Sequence, residues 1–131
     1  KGALIVHSGL GNYLWWAIRT YGVKAGGSVP VHSSISFDLT VTSLYPALLA
    51  GAWVDLLPEG AGAQNLIANL RLAKRHSLVK ITPAHLDLLT QLASPDEARE
   101  MTDAFIIGGE NLTAESLQFW RDAAPATRLI N

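Results

Sequence analysis

The stretch LVKITPAHLDLLTQLA (residues 78–93) joins the two patterns that decide the fold. It opens with a short apolar run, which is typical of a buried strand, and Pro83 then begins a helical pattern in the first-turn position that proline favours. Lys80 lies inside the strand, where a lysine is rarely buried without a partner. We therefore expect Lys80 to lie at the strand's exit or to meet an anion there. The alternative is an aliphatic stem that reaches solvent.

The same alternation continues along the chain in both directions. Further strands are predicted at 3–7, 28–33, 52–58, 104–109 and 127–131, and further helices at 12–21, 38–50, 64–76 and 114–123. Leu66, Leu70 and Ala73 are spaced to share one helix face. Strand followed by helix, repeated, predicts an α/β fold in three layers, a mostly parallel sheet with helices on both faces. Ligands of such sheets bind at the carboxyl ends of the strands.

Composition limits the classes of function. Hydrophobic residues make up 49% of the 131 residues and charged residues 16%, which is enough for a core and argues against disorder. Ten Lys and Arg against eleven Asp and Glu give a net charge of −1, and no basic stripe indicates nucleic acid. No apolar run reaches the length of a membrane span, so no membrane association is predicted. Without cysteine the chain has no disulfide and no catalytic thiol.

Asp38 stands alone in the apolar stretch FDLTVTS (37–43), and the next acidic residue is Asp55. A helix N-cap is one interpretation, because aspartate accepts backbone N–H bonds at a helix start. The other is a carboxylate that binds a cationic ligand. Leu39 and Thr42 would share its face near the helix start, so the three side chains form one patch in either case.

The remaining polar candidates are less specific. IIGGENL (106–112) ends a strand in two glycines, which permit close backbone approach to a flat ligand, but a plain strand-to-helix turn explains them equally. His7 and His32 end predicted strands and could be near a site, although structural roles are favoured for every histidine. His76 and His85 are predicted on helix surfaces. No histidine pair has metal-ligand spacing with a further ligand nearby.

Four short motifs, in order, make the whole chain resemble the adenylation domain of nonribosomal peptide synthetases, in the adenylate-forming superfamily. Lys1–Gly2 is similar to the end of its phosphate loop, and SFDLT (36–40) to its FDxS element, with Thr40 in place of serine. GGENL (108–112) is similar to its GGE-x-L stretch, and LIN (129–131) to the residues before its YGPTE motif. The resemblance implies the flavodoxin-like lobe of such an enzyme, with residues 1–131 as an excised substrate-pocket subdomain.

The resemblance also implies roles for particular residues. Asp38 would bind the α-ammonium of an amino acid, and the pocket positions would be Asp38, Leu39, Thr42, Lys80, Ile106 and Gly108. This series resembles pockets for aspartate or asparagine, in which Lys80 pairs with the side-chain carboxylate or donates to the amide. The adenine of ATP would lie by Gly109, Glu110, Asn111 and Asn131.

The implied activity is that of a cytoplasmic ligase of secondary-metabolite biosynthesis. It would form an aminoacyl-adenylate from an amino acid and ATP with Mg²⁺, then load a phosphopantetheine thiol on a peptidyl carrier protein beside a condensation domain. The family's catalytic lysine lies outside this segment, so the chain alone is expected to be inactive. The alternative is a non-catalytic α/β small-molecule-binding or degenerate adenylation module. A flavodoxin-like receiver or electron carrier is a weaker alternative, because no acidic cluster is predicted at the strand ends.

Overall fold

Strands and helices alternate along the chain, as the patterning predicts. The structure is a computed structural model that describes residues 2–58, 62–72 and 75–131, with only the backbone of residues 62 and 63. Its elements in chain order are α1 (His7–Tyr21), β1 (Ser28–Val31), α2 (Leu39–Ala50), β2 (Trp53–Leu56), α3 (Gly62–Leu72), β3 (Val79–Ile81), α4 (Pro83–Leu92), α5 (Pro95–Met101), β4 (Ala104–Ile107), α6 (Ala114–Ala123) and β5 (Arg128–Ile130). Among the described helices, none is long and apolar enough to cross a membrane.

The paired strands are all parallel. β1 pairs with β2, and β4 lies between β3 and β5 in a second ladder. The Ser77 N–H donates to the Ser28 carbonyl at 2.9 Å, which places the start of β1 beside the segment leading into β3. The strands therefore run in the order β2-β1-β3-β4-β5, the flavodoxin-like order, with a switch point between β1 and β3. The predicted α/β class is confirmed.

The central strands β3 and β4 have two buried faces, and successive side chains alternate between them. One face packs against α3, α4, α5 and α6 through Val79, Ile81, Phe105 and Ile107. The other packs against α1 and α2 through Leu78, Ala104 and Ile106, which meet Ala17, Tyr21 and Ala47. Lys80 lies between Val79 and Ile81, so the alternation places its side chain on the α1–α2 side of the sheet.

Local sequence explains where the helices begin and end. Thr82 caps α4 by accepting the His85 N–H at 3.4 Å, and Pro83 occupies the first helical position. Ser94 and Glu97 form a reciprocal capping box at the start of α5. α1 and α2 each end at a glycine with positive φ, Gly22 at 74° and Gly51 at 70°. The last turn of both helices is thereby closed without strain.

Several predicted elements are wrong at their edges. Residues 3–6 pair with no strand of the described chain, and α1 begins at His7, so Asn12 lies inside the helix. An apolar run becomes a strand only where a partner strand supplies hydrogen bonds, and the run itself does not reveal that partner. Helix α5 was not predicted. The prediction of a helix over 64–76 corresponds to α3 (Gly62–Leu72), but Arg75 and His76 are not helical. Ala73 of that prediction, and Lys1 of the predicted phosphate-loop end, lie outside the described residues.

His76 is not on a helix surface. It is fully buried ahead of β3, with its Nδ1 2.7 Å from Ser28 Oγ and 3.7 Å from Asp55 Oδ2. Burial lowers the pKa of His76, while the nearby Asp55 carboxylate and a hydrogen bond at Ser28 oppose that change. The imidazole is therefore part of the joint between β1 and β3, a structural role.

Candidate functional site

A cleft opens where β1, β3 and β4 end, the edge at which parallel sheets bind ligands. Its volume is about 520 Å³, and its walls are formed by His32, Ser33, Ser34, Phe37, Asp38, Leu39, Thr82, His85 and Gly109. The segment 32–39 leads from β1 into α2, Thr82 follows β3, and Gly109 lies just beyond the end of β4. The cleft therefore lies at the switch point of the sheet, with α2 along one side.

Asp38 is exposed and occupies the residue just before α2, so it has the position of an N-cap. Its backbone is already helical, with φ −61° and ψ −24°, and among the described residues its carboxylate accepts no hydrogen bond from the helix N–H groups. An N-cap residue usually has an extended backbone and makes that bond. Capping therefore does not explain the aspartate, and its carboxylate is available to a ligand in the cleft.

Lys80 and Gly108 meet on the α2 side of the sheet. Lys80 pairs in register with Ile106, and Gly108 follows two residues later. The Lys80 Nζ lies 3.0 Å from the position that a Cβ at residue 108 would take. Partial burial lowers the pKa of the Lys80 ammonium, and the charge of Asp38 opposes that change. The two opposite charges are therefore close enough to influence each other.

The other predicted pocket residues lie on α2 or on the face of the sheet that α2 covers. Leu39 is half-buried and forms part of the cleft wall, whereas Thr42 is buried one turn further along α2. The Thr42 Oγ1 lies 2.5 Å from the hydroxyl of Tyr13 on α1, which fixes its position. Ile106 is buried beside Lys80 on the same face. Asp38, Leu39, Thr42, Lys80, Ile106 and Gly108 thus belong to one face of the sheet and the helix that covers it.

The residues predicted near adenine are not all brought together. Gly109 lines the cleft with φ 92°, a conformation that favours glycine, and its bare backbone faces the opening. The Glu110 carboxylate accepts the Ala84 N–H at 3.1 Å, so it interacts with the start of α4. Asn111 and Asn131 are exposed and are not among the residues that line the cleft.

Two histidines form a wall that the sequence patterns did not identify as a pair. His32 and His85 lie with ring centroids 5.2 Å apart at an interplanar angle of 65°. The His32 Nε2 is 2.9 Å from the Lys80 carbonyl oxygen, and the His85 Nδ1 is 2.8 Å from Thr82 Oγ1. Burial lowers the pKa of His32, the hydrogen bond to Lys80 opposes this, and the nearby His85 lowers it further. The position of His32 at the carboxyl end of a strand was the one signal that pointed to this site.

The loop between β1 and α2 is fixed by its own hydroxyl groups. Thr40 donates to the Ser34 carbonyl at 2.7 Å, and Ser33 Oγ lies 2.7 Å from Thr40 Oγ1. These bonds hold Ser33, Ser34 and Asp38 against the start of α2. In the described residues, no three His, Cys, Asp or Glu side chains come together to hold a metal ion.

Comparison with known proteins identifies relatives of this chain by sequence and by fold. No family model matches the chain. The chain is 40% identical over 112 residues to tyrocidine synthase 3 of Brevibacillus parabrevis. The aligned region covers 86% of this chain and 2% of that protein. It is 35% identical over 115 residues to bacitracin synthase 3 of Bacillus licheniformis, covering 88% of this chain and 2% of that protein. The chain thus spans a small part of the length of these relatives.

A solved structure has the same fold. The nonribosomal peptide synthetase FmoA3, in a form with AMPPNP bound, superposes with a TM-score of 0.84 at 21% identity, over 98% of this chain and 14% of that chain. At this identity the likeness establishes the fold, and the sequence relatives establish the kinship. By sequence and by fold, the chain belongs to the adenylation domains of the nonribosomal peptide synthetases, within the adenylate-forming enzymes.

Proposed function

We propose that residues 1–131 are the substrate-pocket subdomain of an adenylation domain in a longer protein that activates aspartate or asparagine. The observation that carries this proposal is a pair of opposite charges on the α2 side of the sheet, of which Asp38 also lines the cleft. Asp38 lies free at the start of α2, and the Lys80 ammonium lies on the adjoining sheet face against Gly108. A carboxylate pairs strongly with an ammonium when ligand binding removes water from both groups. An amino acid with a side-chain oxygen fits between two such groups.

The residues of this chain would bind and orient the reactants. Asp38 pairs with the α-ammonium of the substrate, and Lys80 pairs with its side-chain carboxylate or donates to its amide. Gly108 leaves room for the lysine, while Leu39 and Ile106 supply apolar walls. The α-carboxylate oxygen then attacks the α-phosphorus of ATP, and pyrophosphate leaves. Positioning and charge stabilisation account for the catalytic effect in this scheme, so no side chain of the segment acts as a nucleophile.

The nucleotide side of the proposal rests on the loop after β4. The backbone of Gly109 lines the cleft and is open to a flat ring, and Glu110 and Asn111 follow it in the same loop. Mg²⁺ would be bound with the phosphates of ATP, which is the usual way that proteins hold this ion. The AMPPNP bound to FmoA3 supports a nucleotide as ligand. The aminoacyl group would then pass to the phosphopantetheine thiol of a peptidyl carrier protein in the same assembly line, next to a condensation domain.

The test is amino-acid-dependent exchange of pyrophosphate into ATP by the full-length protein. Aspartate or asparagine should support rapid exchange, and leucine should support only slow exchange. Asp38→Ala should reduce substrate binding by about 2–5 kcal/mol, which is roughly 30- to 4,000-fold, because it leaves an ammonium unpaired in a partly desolvated site. Asp87→Ala is the matched control, since Asp87 is an exposed carboxylate of α4 that does not line the cleft.

Two results would overturn the proposal. Exchange that is unchanged in Asp38→Ala would remove the aspartate from the site. Binding of an amino acid without any exchange would favour the non-catalytic module instead. The 131-residue chain alone is expected to give no exchange, because the family's catalytic lysine lies outside it.

A further inference from the structure

One hydrogen bond joins the two helices that cover the pocket face of the sheet. The Tyr13 hydroxyl on α1 lies 2.5 Å from the Thr42 Oγ1 on α2, and among the described residues no other hydrogen bond connects these helices. Thr42 is buried and belongs to the proposed substrate pocket. The bond therefore links a pocket residue to a helix that supplies no pocket residue of its own.

The hydroxyl of Thr42 does not take the partner that a helical threonine usually takes. Such a hydroxyl commonly donates to the carbonyl three or four residues earlier, and Thr90 on α4 donates in this way to the Leu86 carbonyl at 2.9 Å. In the described part of the chain, the Thr42 hydroxyl instead has Tyr13 as its one partner. The hydroxyl and the methyl group share one β-carbon, so fixing the first also fixes the second. Tyr13 therefore selects the rotamer of Thr42.

A proline makes this contact more important for α2. Pro46 lies inside the helix and has no backbone N–H, so the Thr42 carbonyl, four residues earlier, lacks its usual helix donor. The turn that carries Thr42 therefore depends more on side-chain contacts. The Tyr13 ring packs against the core cluster that contains Ile106, and its centroid lies 6.0 Å from that of the Trp16 ring. These contacts hold the ring in place independently of its hydroxyl.

We propose that Tyr13 is a positioning residue for the choice of amino acid, and that it acts by holding the Thr42 side chain in one rotamer. Tyr13 does not itself contact the substrate. A pocket wall of fixed shape rejects a side chain of the wrong shape, whereas a wall that changes rotamer accommodates several. The inference rests on the proposed function, because it concerns selection by the same pocket.

The test removes the hydroxyl of Tyr13 and keeps its ring. Tyr13→Phe is compared with Thr42→Val, which removes the other hydroxyl of the pair, and with the double variant. Tyr45→Phe is the matched control, because Tyr45 is an exposed tyrosine of α2. All are made in the full-length protein. Pyrophosphate exchange is measured with aspartate, asparagine and leucine, KM for ATP is measured separately, and thermal unfolding is recorded for each variant.

Tyr13→Phe should lower the preference for aspartate or asparagine over leucine about fivefold, which is the scale of one neutral hydrogen bond. The freed Thr42 hydroxyl would turn to the Asp38 carbonyl, four residues earlier, and its methyl group would move with it. The loss should appear in KM for the amino acid, while KM for ATP stays unchanged. In the Thr42→Val background, Tyr13→Phe should change the preference less than about twofold, because the pair is already broken. Tyr45→Phe should behave as the wild type.

Three outcomes would overturn the inference. An unchanged preference in Tyr13→Phe, with Asp38→Ala still impaired, would limit Tyr13 to helix packing, whatever its unfolding temperature, and leave the proposed function standing. An equal loss of preference in the wild-type and Thr42→Val backgrounds would assign the effect to something other than this hydrogen bond. A parallel rise in KM for the amino acid and for ATP would mean that the hydroxyl only supports the fold. If Asp38→Ala is also without effect, the proposed function itself fails.

Discussion

Replacing Gly108 by alanine would put a methyl group where the Lys80 ammonium now lies. The new Cβ would stand 3.0 Å from Nζ, whereas ordinary contact begins at 3.4 Å. The lysine head is the flexible end of a long side chain, so it can retreat by some tenths of an ångström. The φ of Gly108 does not lie in the left-handed region, so alanine fits the backbone there. We therefore expect Gly108→Ala to move the ammonium without unfolding the protein.

The size of the effect follows from what the ammonium does. A hydrogen bond to a charged group contributes about 1.5–3 kcal/mol, and displacement should remove part of it. A loss of about 1–2 kcal/mol corresponds to a five- to thirtyfold fall in activation of aspartate or asparagine. Stability should be unchanged or higher by up to about 1 kcal/mol, because alanine reduces the freedom of the unfolded chain. Gly109→Ala is the contrast for stability alone: φ 92° makes alanine strained there, so that variant should be destabilised by roughly 1–2 kcal/mol.

The assay is pyrophosphate exchange in a double-mutant cycle with Lys80→Met. If the methyl group acts through the lysine head, Gly108→Ala should add nothing in the Lys80→Met background, and the coupling should be about 1–2 kcal/mol. Exchange with leucine reports effects that do not involve the side-chain oxygen. An equal loss in both backgrounds, or an equal loss for aspartate and leucine, would refute the assignment of Lys80 to substrate choice.

Lys80→Met alone should lower the preference for aspartate over leucine by about tenfold or more in the same exchange assay, since it keeps the stem and removes the charge; an unchanged preference would make Lys80 a structural strand residue. His76 has a lowered pKa in the folded state, so unfolding takes up a proton, and stability should be complete above about pH 6.5 and decline as pH falls below it. Thermal unfolding of the full-length protein between pH 7.5 and 5 should show this decline, and His76→Asn should flatten it. Ser94→Ala should destabilise α5 by about 1 kcal/mol through loss of its capping box, measured as a lower midpoint of denaturant unfolding, whereas an unchanged midpoint would mean that tertiary packing alone holds the helix.

Patterns of local origin were predictable from the sequence. The apolar run around Lys80 and the proline that follows it correctly predicted β3 and α4, because strand alternation and first-turn proline are local rules. The capping box of Ser94 and Glu97 was an equally local signal, and it would have located α5. In contrast, the run at 3–6 has no strand partner in the described chain, and no local rule supplies one.

Features that depend on distant partners were not predictable. His76 is buried, and its ring forms a hydrogen bond with Ser28, which lies 48 residues earlier in the chain. The sequence contains no sign of that contact. His32 and His85 form a pair only because β1 and β3 lie side by side. The isolation of Asp38 in an apolar stretch indicated a special residue, but the choice between a cap and a ligand group needed the helix geometry. The resemblance to a family supplied residue roles that composition and spacing alone do not give.

The two-sided burial of β3 and β4 has a consequence for how such a protein changes over evolutionary time. Residues that face α1 and α2, such as Lys80 and Ile106, border the proposed pocket, whereas their neighbours Ile81 and Ile107 belong to the other core. Selection for a new substrate and selection for a stable sheet therefore act on alternate residues of the same strand. A lineage can exchange one set while it retains the other, and a protein engineer can do the same.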